Sequence, residues 1–257
     1  MGVLLIGIVV GIAINQINDE PARLSVSSFF KGLHGIVINI TSWIVAILPI
    51  ALYGFIVSTT LQIKSGMDFV GIGKYIAVVL GANIVQGFII LPLLLKYKGI
   101  RPFKTMKAMM PALIIAFLSK SSAATLPVTI NTAEQNLKIN TKVSRFVLPL
   151  CTTINMNGCA SFIFATVIYL MQNNGVEISY LTMLIWVLIS TLAAVGNAGV
   201  PMGCFFLSAS LLSGMNIPIN LLGIILPFYA IIDMVETSLN VWSDSVVAKI
   251  VDSEHQA

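Results

Sequence analysis

The sequence predicts an all-α, multi-spanning membrane protein built around two re-entrant helical hairpins. Three observations carry this reading. The 257 residues are 57% hydrophobic and only 9% charged, with a mean hydropathy of +0.97, whereas soluble domains carry about 25% charged residues. Several apolar runs reach the roughly 20 residues that a helix needs to cross a bilayer. Other runs are too short to cross and come in pairs, each pair around a small-residue tip containing proline. Irregular backbone at membrane depth is tolerated only where protein or a wet cavity covers it, so such pairs fit hairpins that turn back partway. A net charge of +4 is too small to suggest nucleic acid.

Along the chain, the opening "MGVLLIGIVVGIAI" has no basic leader and reads as the end of a membrane helix rather than a removable signal. Runs 36–63, 69–95 and 146–171 are long enough to span. Residues 108–118 and 128–135 flank the tip "SKSSAATLP" (119–127), and residues 180–195 and 200–213 flank "GNAGVP" (196–201). The expected order is a helix at 69–97, a hairpin at 104–136, a helix at 146–171, a hairpin at 180–214 and a helix at 219–251. Each half is thus a hairpin followed by a helix with a polar motif, and paired interrupted segments point to a binding site near the midplane. Pro49 and Pro92 read as kinks, and His34 and Trp242 as structural. Of fourteen Lys and Arg residues, eleven fall on the side that carries residues 96–107 and only Lys64 and Lys74 on the other. The excess of positive charge puts the first side, and the C-terminus, in the cytoplasm. Lys120, in a tip, is expected to snorkel to that surface.

The polar motifs carry the chemistry. In "DMVETSLNVWSD" (233–244), Asp233, Thr237, Asn240 and Asp244 recur at i, i+4, i+7 and i+11 on one helical face, and Glu236 flanks it. A charge at the membrane centre costs at least about 2.5–3.5 kcal/mol. Several on one face imply bound cations, a charged ligand group or water; the plainer alternative is hydrogen bonding between helices through protonated acids. "NMNG" (155–158) offers the amides of Asn155 and Asn157 and a local weakening at Gly158, with a simple kink as the alternative. The hydroxyls of Ser121 and Ser122, with N–H groups at a helix start, suit a carboxylate; an ordinary loop is the alternative. The glycine-rich second tip suits close approach and hinge motion. Cys151, Cys159 and Cys204 show no CxxC spacing, so metal and disulfide chemistry are not expected. No nucleophile–base pair or metal-ligand spacing points to an enzyme.

Together, "SKSSAATLPV", "NMNGCA", "GNAGVP" and "DMVETSLNVWSD", in this order and spread over nearly the whole chain, resemble the dicarboxylate/amino acid:cation symporter family with its glutamate transporter fold. Within it, Glu236 and "SSAA" are closest to the bacterial sodium/serine-threonine symporter. The resemblance implies a transport core with inverted repeats. It implies residues 1–68 as a remnant of the scaffold domain and 69–257 as the transport domain, moving in an elevator-type cycle. Asp233 would hold the substrate amino group. Ser121, Ser122, neighbouring tip N–H groups and Asn240 would hold its α-carboxylate, and Thr237, Cys159 and Val200 would line the pocket. One Na⁺ would sit on Asn155, Asp244 and the carbonyls of Cys151 and Asn240. A second would sit on carbonyls of Thr153, Met156, Ala194, Val195 and Asn197. The second hairpin would be the gate.

Departures from the family pattern sharpen the expectation. Acidic-substrate members have Arg where this chain has Glu236, and a carboxylate there would repel a substrate carboxylate. Asn157 stands in place of the signature Asp, which removes a ligand from a third cation site, and Cys159 replaces the signature Thr. Family members also have several further helices before the point that resembles residue 1. The expected function is Na⁺-coupled symport of a small neutral amino acid, foremost serine or threonine, in the bacterial plasma membrane, by a chain that trimerises at full length and uses no organic cofactor. The alternatives are a broader or acidic amino-acid symporter and, in another class, a cation channel or accessory membrane protein.

Overall fold

The structure is a computed structural model that describes residues 2–63, 69–197 and 199–255. It divides into two compact units, the first ending at Leu61. In the first unit, α1 (Gly2–Asn15) is followed by α2 (Glu20–Ile63). The apolar run expected at 36–63 is thus the later part of a longer helix, which starts with Glu20 and Pro21, residues suited to a first turn. The side chains of His34 and Pro49, and residue Lys64, lie outside the described residues.

The second unit begins with α3 (Phe69–Val85), a π-helical turn (Gln86–Ile90) and α4 (Leu91–Tyr97). Sequence reading expects one helix here, and the chain does run on as one rod. Pro92 has no N–H for the preceding turn, and the interruption takes the form of the π turn. The Trp242 indole N–H donates to the Gly87 carbonyl within that turn, at 3.1 Å.

The first hairpin follows as α5 (Pro102–Ser119) and α6 (Ser122–Asn136). Its tip is two residues long. Lys120 takes a left-handed conformation (φ 55°) and closes α5 through its N–H to the Ala116 carbonyl. Ser121 is extended, and its hydroxyl accepts from the Ala124 N–H at 3.1 Å. This is the N-cap role that serine fills well.

The helix expected at 146–171 is longer and in two pieces, α7 (Thr141–Ile154) and α8 (Asn157–Asn173). Asn155 and Met156 between them leave the helical region, with ψ of 65° and 60°. The second hairpin is α9 (Tyr180–Val195) and α10 (Gly203–Gly214), and α11 (Asn220–His255) closes the chain. α11 runs 36 residues without the break that divides α7 from α8. Its last turn goes beyond the expected 251 because Asp252 is buried and bonded: it accepts from the Asn140 N–H at 2.8 Å and from Lys249 at 3.0 Å.

α11 packs against α5, α7 and α8. Met109, Ala112 and Ala116 of α5 meet Leu148 of α7 and Trp242 and Val246 of α11 in one buried cluster. Alanines one turn apart let the helices approach closely, as in membrane bundles where small residues line the contacts. The stretches Gly71–Tyr97, Thr141–Asn173 and Asn220–His255 are long and apolar enough to cross a membrane. Large apolar side chains such as Phe88, Leu93, Phe146 and Leu188 face outward, as a protein solvated by acyl chains requires.

The two hairpin tips touch. The Ser121 hydroxyl donates to the Gly199 carbonyl at 2.9 Å, and the Ala123 N–H reaches the same oxygen at 3.4 Å. Gly199 has φ +69°, and a Cβ there would stand 3.1 Å from the Ala123 nitrogen and 3.2 Å from the Thr152 carbonyl. Only glycine fits both demands.

Candidate functional site

The site forms where the tips, the α7–α8 break and the middle of α11 converge. α11 contributes Asp233, Glu236, Thr237, Asn240 and Asp244, all buried. The face that the sequence periodicity predicts is therefore turned inward. Gly158 lets α8 come against it: a Cβ there would lie 2.9 Å from the Glu236 Cα and 3.0 Å from its carbonyl oxygen. With α8 that close, the Gly158 N–H donates to Asn240 Oδ1 at 2.9 Å. Asn240 Nδ2 faces the sulfurs of Met156 and Cys159, each at 3.5 Å.

The three acids are treated differently. Asp233 is held by two donors, the Met202 N–H on Oδ2 (3.2 Å) and the Tyr229 hydroxyl on Oδ1 (3.3 Å). Met202 is the left-handed residue (φ 64°) that opens α10, so the second tip grips Asp233 through its backbone. Lys120, expected to extend toward the cytoplasmic surface, is half-buried at the first tip. Asp244 Oδ1 accepts from Asn155 Nδ2 at 2.9 Å. Glu236 is fully buried, and neither of its oxygens accepts a hydrogen bond of normal geometry; the Tyr229 hydroxyl, which donates to Asp233, also bears on it.

The break places oxygen donors beside Asp244. Asn155 Nδ2 also reaches the Ser243 hydroxyl (3.0 Å), and Asn157 Nδ2 reaches the same oxygen at 2.8 Å. Asn157 Oδ1 is buried without a partner. The Cys151 carbonyl accepts the Asn155 N–H at 2.8 Å, and the Met156 carbonyl accepts from Ala160 at 2.9 Å. A carbonyl has two lone pairs, so each keeps one for an ion. A cavity of about 410 Å³ lies against the break, with Gln86, Asn155, Met156, Asn157, Ser190 and Ala194 among its lining residues.

Most of the residues singled out from the sequence come together, though not all in one place. Asp233, Glu236, Asn240 and Cys159 converge with Asn197, whose Nδ2 lies 3.2 Å from the Cys159 sulfur. Asn155 and Asp244 form a second group. Ser121 serves the contact between the tips. Ser122 is buried, and Val200 half-buried beside the second tip. Met156 and Ala194 share the cavity; Val195 is half-buried, and Thr153 is exposed with its hydroxyl on the Leu150 carbonyl. Ala198 lies outside the described residues.

Sequence reading missed Tyr229, Met202 and Ser243. Tyr229 stands four residues before Asp233 and Ser243 three after Asn240, so helical spacing could have found both. Met202 acts through its backbone and carries no side-chain signal. One expectation is overturned: Cys159 and Cys204, 45 residues apart with no motif spacing, form a disulfide with Cα atoms 5.5 Å apart. The fold, bringing α10 onto α8, pairs them where sequence spacing does not. Cys151 is a buried free thiol.

Comparison with known proteins gives a consistent result. The profile described as the sodium:dicarboxylate symporter family matches residues 1–254. A putative sodium-dependent excitatory amino acid transporter, glt-4, of Caenorhabditis elegans is 30% identical over 254 residues, 98% of this chain and 50% of its own length. The human neutral amino acid transporter A is 30% identical over 258 residues, all of this chain and 48% of its own. The mouse neutral amino acid transporter B(0) is 28% identical over 255 residues, covering 98% and 46%. The chain spans about half the length of these relatives.

Proposed function

From the premise that this chain belongs to the sodium:dicarboxylate symporter family, we propose that it couples Na⁺ entry to uptake of a small neutral amino acid, foremost serine or threonine. The relatives' names divide between excitatory and neutral amino acids, so the pocket itself has to indicate the class. The observation that carries the reading is Glu236, fully buried one turn from Asp233 and without a well-formed hydrogen bond. A substrate hydroxyl would supply the well-formed hydrogen bond that this carboxylate lacks, whereas a substrate carboxylate would meet like charge. Asp233, oriented by Met202 and Tyr229, is placed to hold the substrate ammonium. Ser122, the tip N–H groups and Asn240 would hold its carboxylate, with Thr237, Val200 and Cys159 as walls.

Na⁺ prefers hard oxygen donors, and the groups beside the break suit it. Asp244, Asn155 and the carbonyls of Cys151 and Asn240 would make one site. Thr153, Met156, Ala194, Val195 and Asn197 would supply carbonyls for a second. The second tip grips Asp233 and abuts the first tip, so its release would open the pocket. In this reading it is the gate of an elevator-type cycle in which residues from about 69 onward move against a trimeric scaffold, with the C-terminus in the cytoplasm of a bacterial cell.

The experiment is competition of serine and aspartate against one labelled substrate, in the wild type and in Glu236→Arg, within a chain extended to the length of the relatives. The wild type should prefer serine, and Glu236→Arg should move the ratio toward aspartate by tenfold or more, about 1.4 kcal/mol. A wild type that prefers aspartate, or a ratio unmoved by the substitution, removes Glu236 as the specificity determinant.

A further inference from the structure

The proposed carriage of amino acid and Na⁺ uses Cys159 only as a wall and gives Cys204 no part, yet the two cysteines lie together beside Glu236. One ligand atom from each of Cys159, Cys204 and Glu236 lies within 4.8 Å of the other two, and all three residues are buried. They come from three elements, α8, α10 and α11. Asn197 Nδ2 points at both sulfurs, at 3.2 and 3.4 Å, and Asn240 Nδ2 at Cys159. Amide donors facing sulfur stabilise negative charge on it. Neither Glu236 oxygen accepts a well-formed hydrogen bond, although a buried carboxylate requires a counter-charge or a proton.

We propose that Cys159, Cys204 and Glu236, once the two cysteines are thiols, form a binding site for a thiophilic divalent cation of the Zn²⁺ class. Thiolate sulfur selects such ions and gives Na⁺ nothing, whereas two sulfurs and a carboxylate with one open position match the three-ligand sites that Zn²⁺ occupies. The chemistry balances without electron transfer. Each thiol loses its proton to water as the metal–sulfur bond forms, so with Glu236 ionised the trio carries −1 before and after. The disulfide form holds no cation. A phosphine opens it, taking oxygen from water to become the phosphine oxide and leaving two thiols. Cys204 lies in the first turn of α10, so a metal bound there ties the second hairpin to α8 and α11. The consequence for gating rests on the reading of that hairpin as the gate, but the site itself does not.

The test is a Co²⁺ titration of the purified chain in detergent, after phosphine reduction and removal of the phosphine, followed by displacement with Zn²⁺. The expected result is about one Co²⁺ per chain with a sulfur-to-cobalt charge-transfer band, bleached by Zn²⁺. Cys159→Ser, Cys204→Ser and Glu236→Gln should each weaken binding at least tenfold, the scale on which metal sites respond to lost support, while Cys151→Ser leaves the band intact. Should a serine variant fail to fold, alkylation of the folded, reduced wild type replaces it, because blocked sulfurs must also lose the band. Absence of the band, its persistence in the Cys159→Ser, Cys204→Ser double variant, or sulfurs that stay joined under phosphine would overturn the site. Metal binding in a chain that shows no amino-acid uptake upholds the site and counts against the carrier reading alone. Zinc binding that leaves uptake unchanged upholds the site and removes its link to the gate.

Discussion

Gly158 shows how one missing side chain assembles the site. Its α-carbon lies so close to Glu236 that a methyl group would press on backbone, not on a flexible side-chain end. Gly158→Ala must therefore push α8 off α11 and lengthen the bond from its N–H to Asn240. Overpacking of this kind costs about 1–3 kcal/mol. A lower thermal midpoint together with weaker substrate binding is the expected outcome; an unchanged midpoint would show that the two helices are not seated as described. Asp233 makes a different demand. Its two donors orient it, but the substrate ammonium proposed for this pocket would need its full charge. Removing one partner of a buried ion pair costs about 3–5 kcal/mol, so Asp233→Asn should weaken substrate binding on the order of a hundredfold or more. Equilibrium binding measures this, and near-wild-type affinity would assign Asp233 to the fold.

Between elements, the first hairpin is tied to the second at its tip and to α7 at its base. Glu134 of α6 accepts from the Ser144 hydroxyl at 2.7 Å and from Arg145 Nε at 3.2 Å. The Ser144 hydrogen bond, aided by Arg145 and opposed by desolvation, holds the Glu134 carboxyl below its ordinary value of 4.5. A group whose value is depressed on folding stabilises above its unfolded value and loses that contribution as pH falls through the folded one. Glu134→Gln should therefore lower thermal stability slightly at neutral pH, and the gap to the wild type should close as pH falls below 4.5. Glu134 is half-buried but its partner Arg145 is exposed, so solvent screening keeps the effect small. A gap that is constant across the acid range would mean that the carboxylate charge contributes nothing. At the same end of the bundle, beside the last turn of α11, Lys98 is raised above its ordinary value by its hydrogen bond and charge pairing with Glu254, a second polar tie outside the apolar layer.

At the scale of the whole molecule, the proposed substrate and Na⁺ groups share Asn240 and the second tip. Binding of one should then ease binding of the other, and the coupling must be reciprocal. Raising Na⁺ should increase serine affinity by the same factor by which serine raises Na⁺ affinity, several-fold to about a hundredfold at typical coupling energies. Titrations with choline replacing Na⁺ measure both. A serine affinity indifferent to Na⁺ would exclude coupled carriage and favour a pore lined by the same carboxylates and amides.

Periodicity and composition alone determined the helical, membrane-spanning class, the two hairpins and the polar face of α11. These follow from local rules: the length of an apolar run, the 3.6-residue repeat and the intolerance of a bilayer for unpaired backbone. They also marked Asn155 and Asn157, although the unwound turn falls at Asn155 and Met156, just before the glycine that pointed to it. Tertiary structure alone decided what meets what. Ser121 reads as a ligand for substrate, yet its hydroxyl is taken by Gly199, 78 residues away. Met202 acts through an N–H that every residue but proline possesses. Cys159 and Cys204 are paired by the seating of α10 on α8, across 45 residues that carry no spacing signal. Sequence patterns report which face of an element is apolar. Partners across elements depend on how those faces dock, and only the packed chain fixes that.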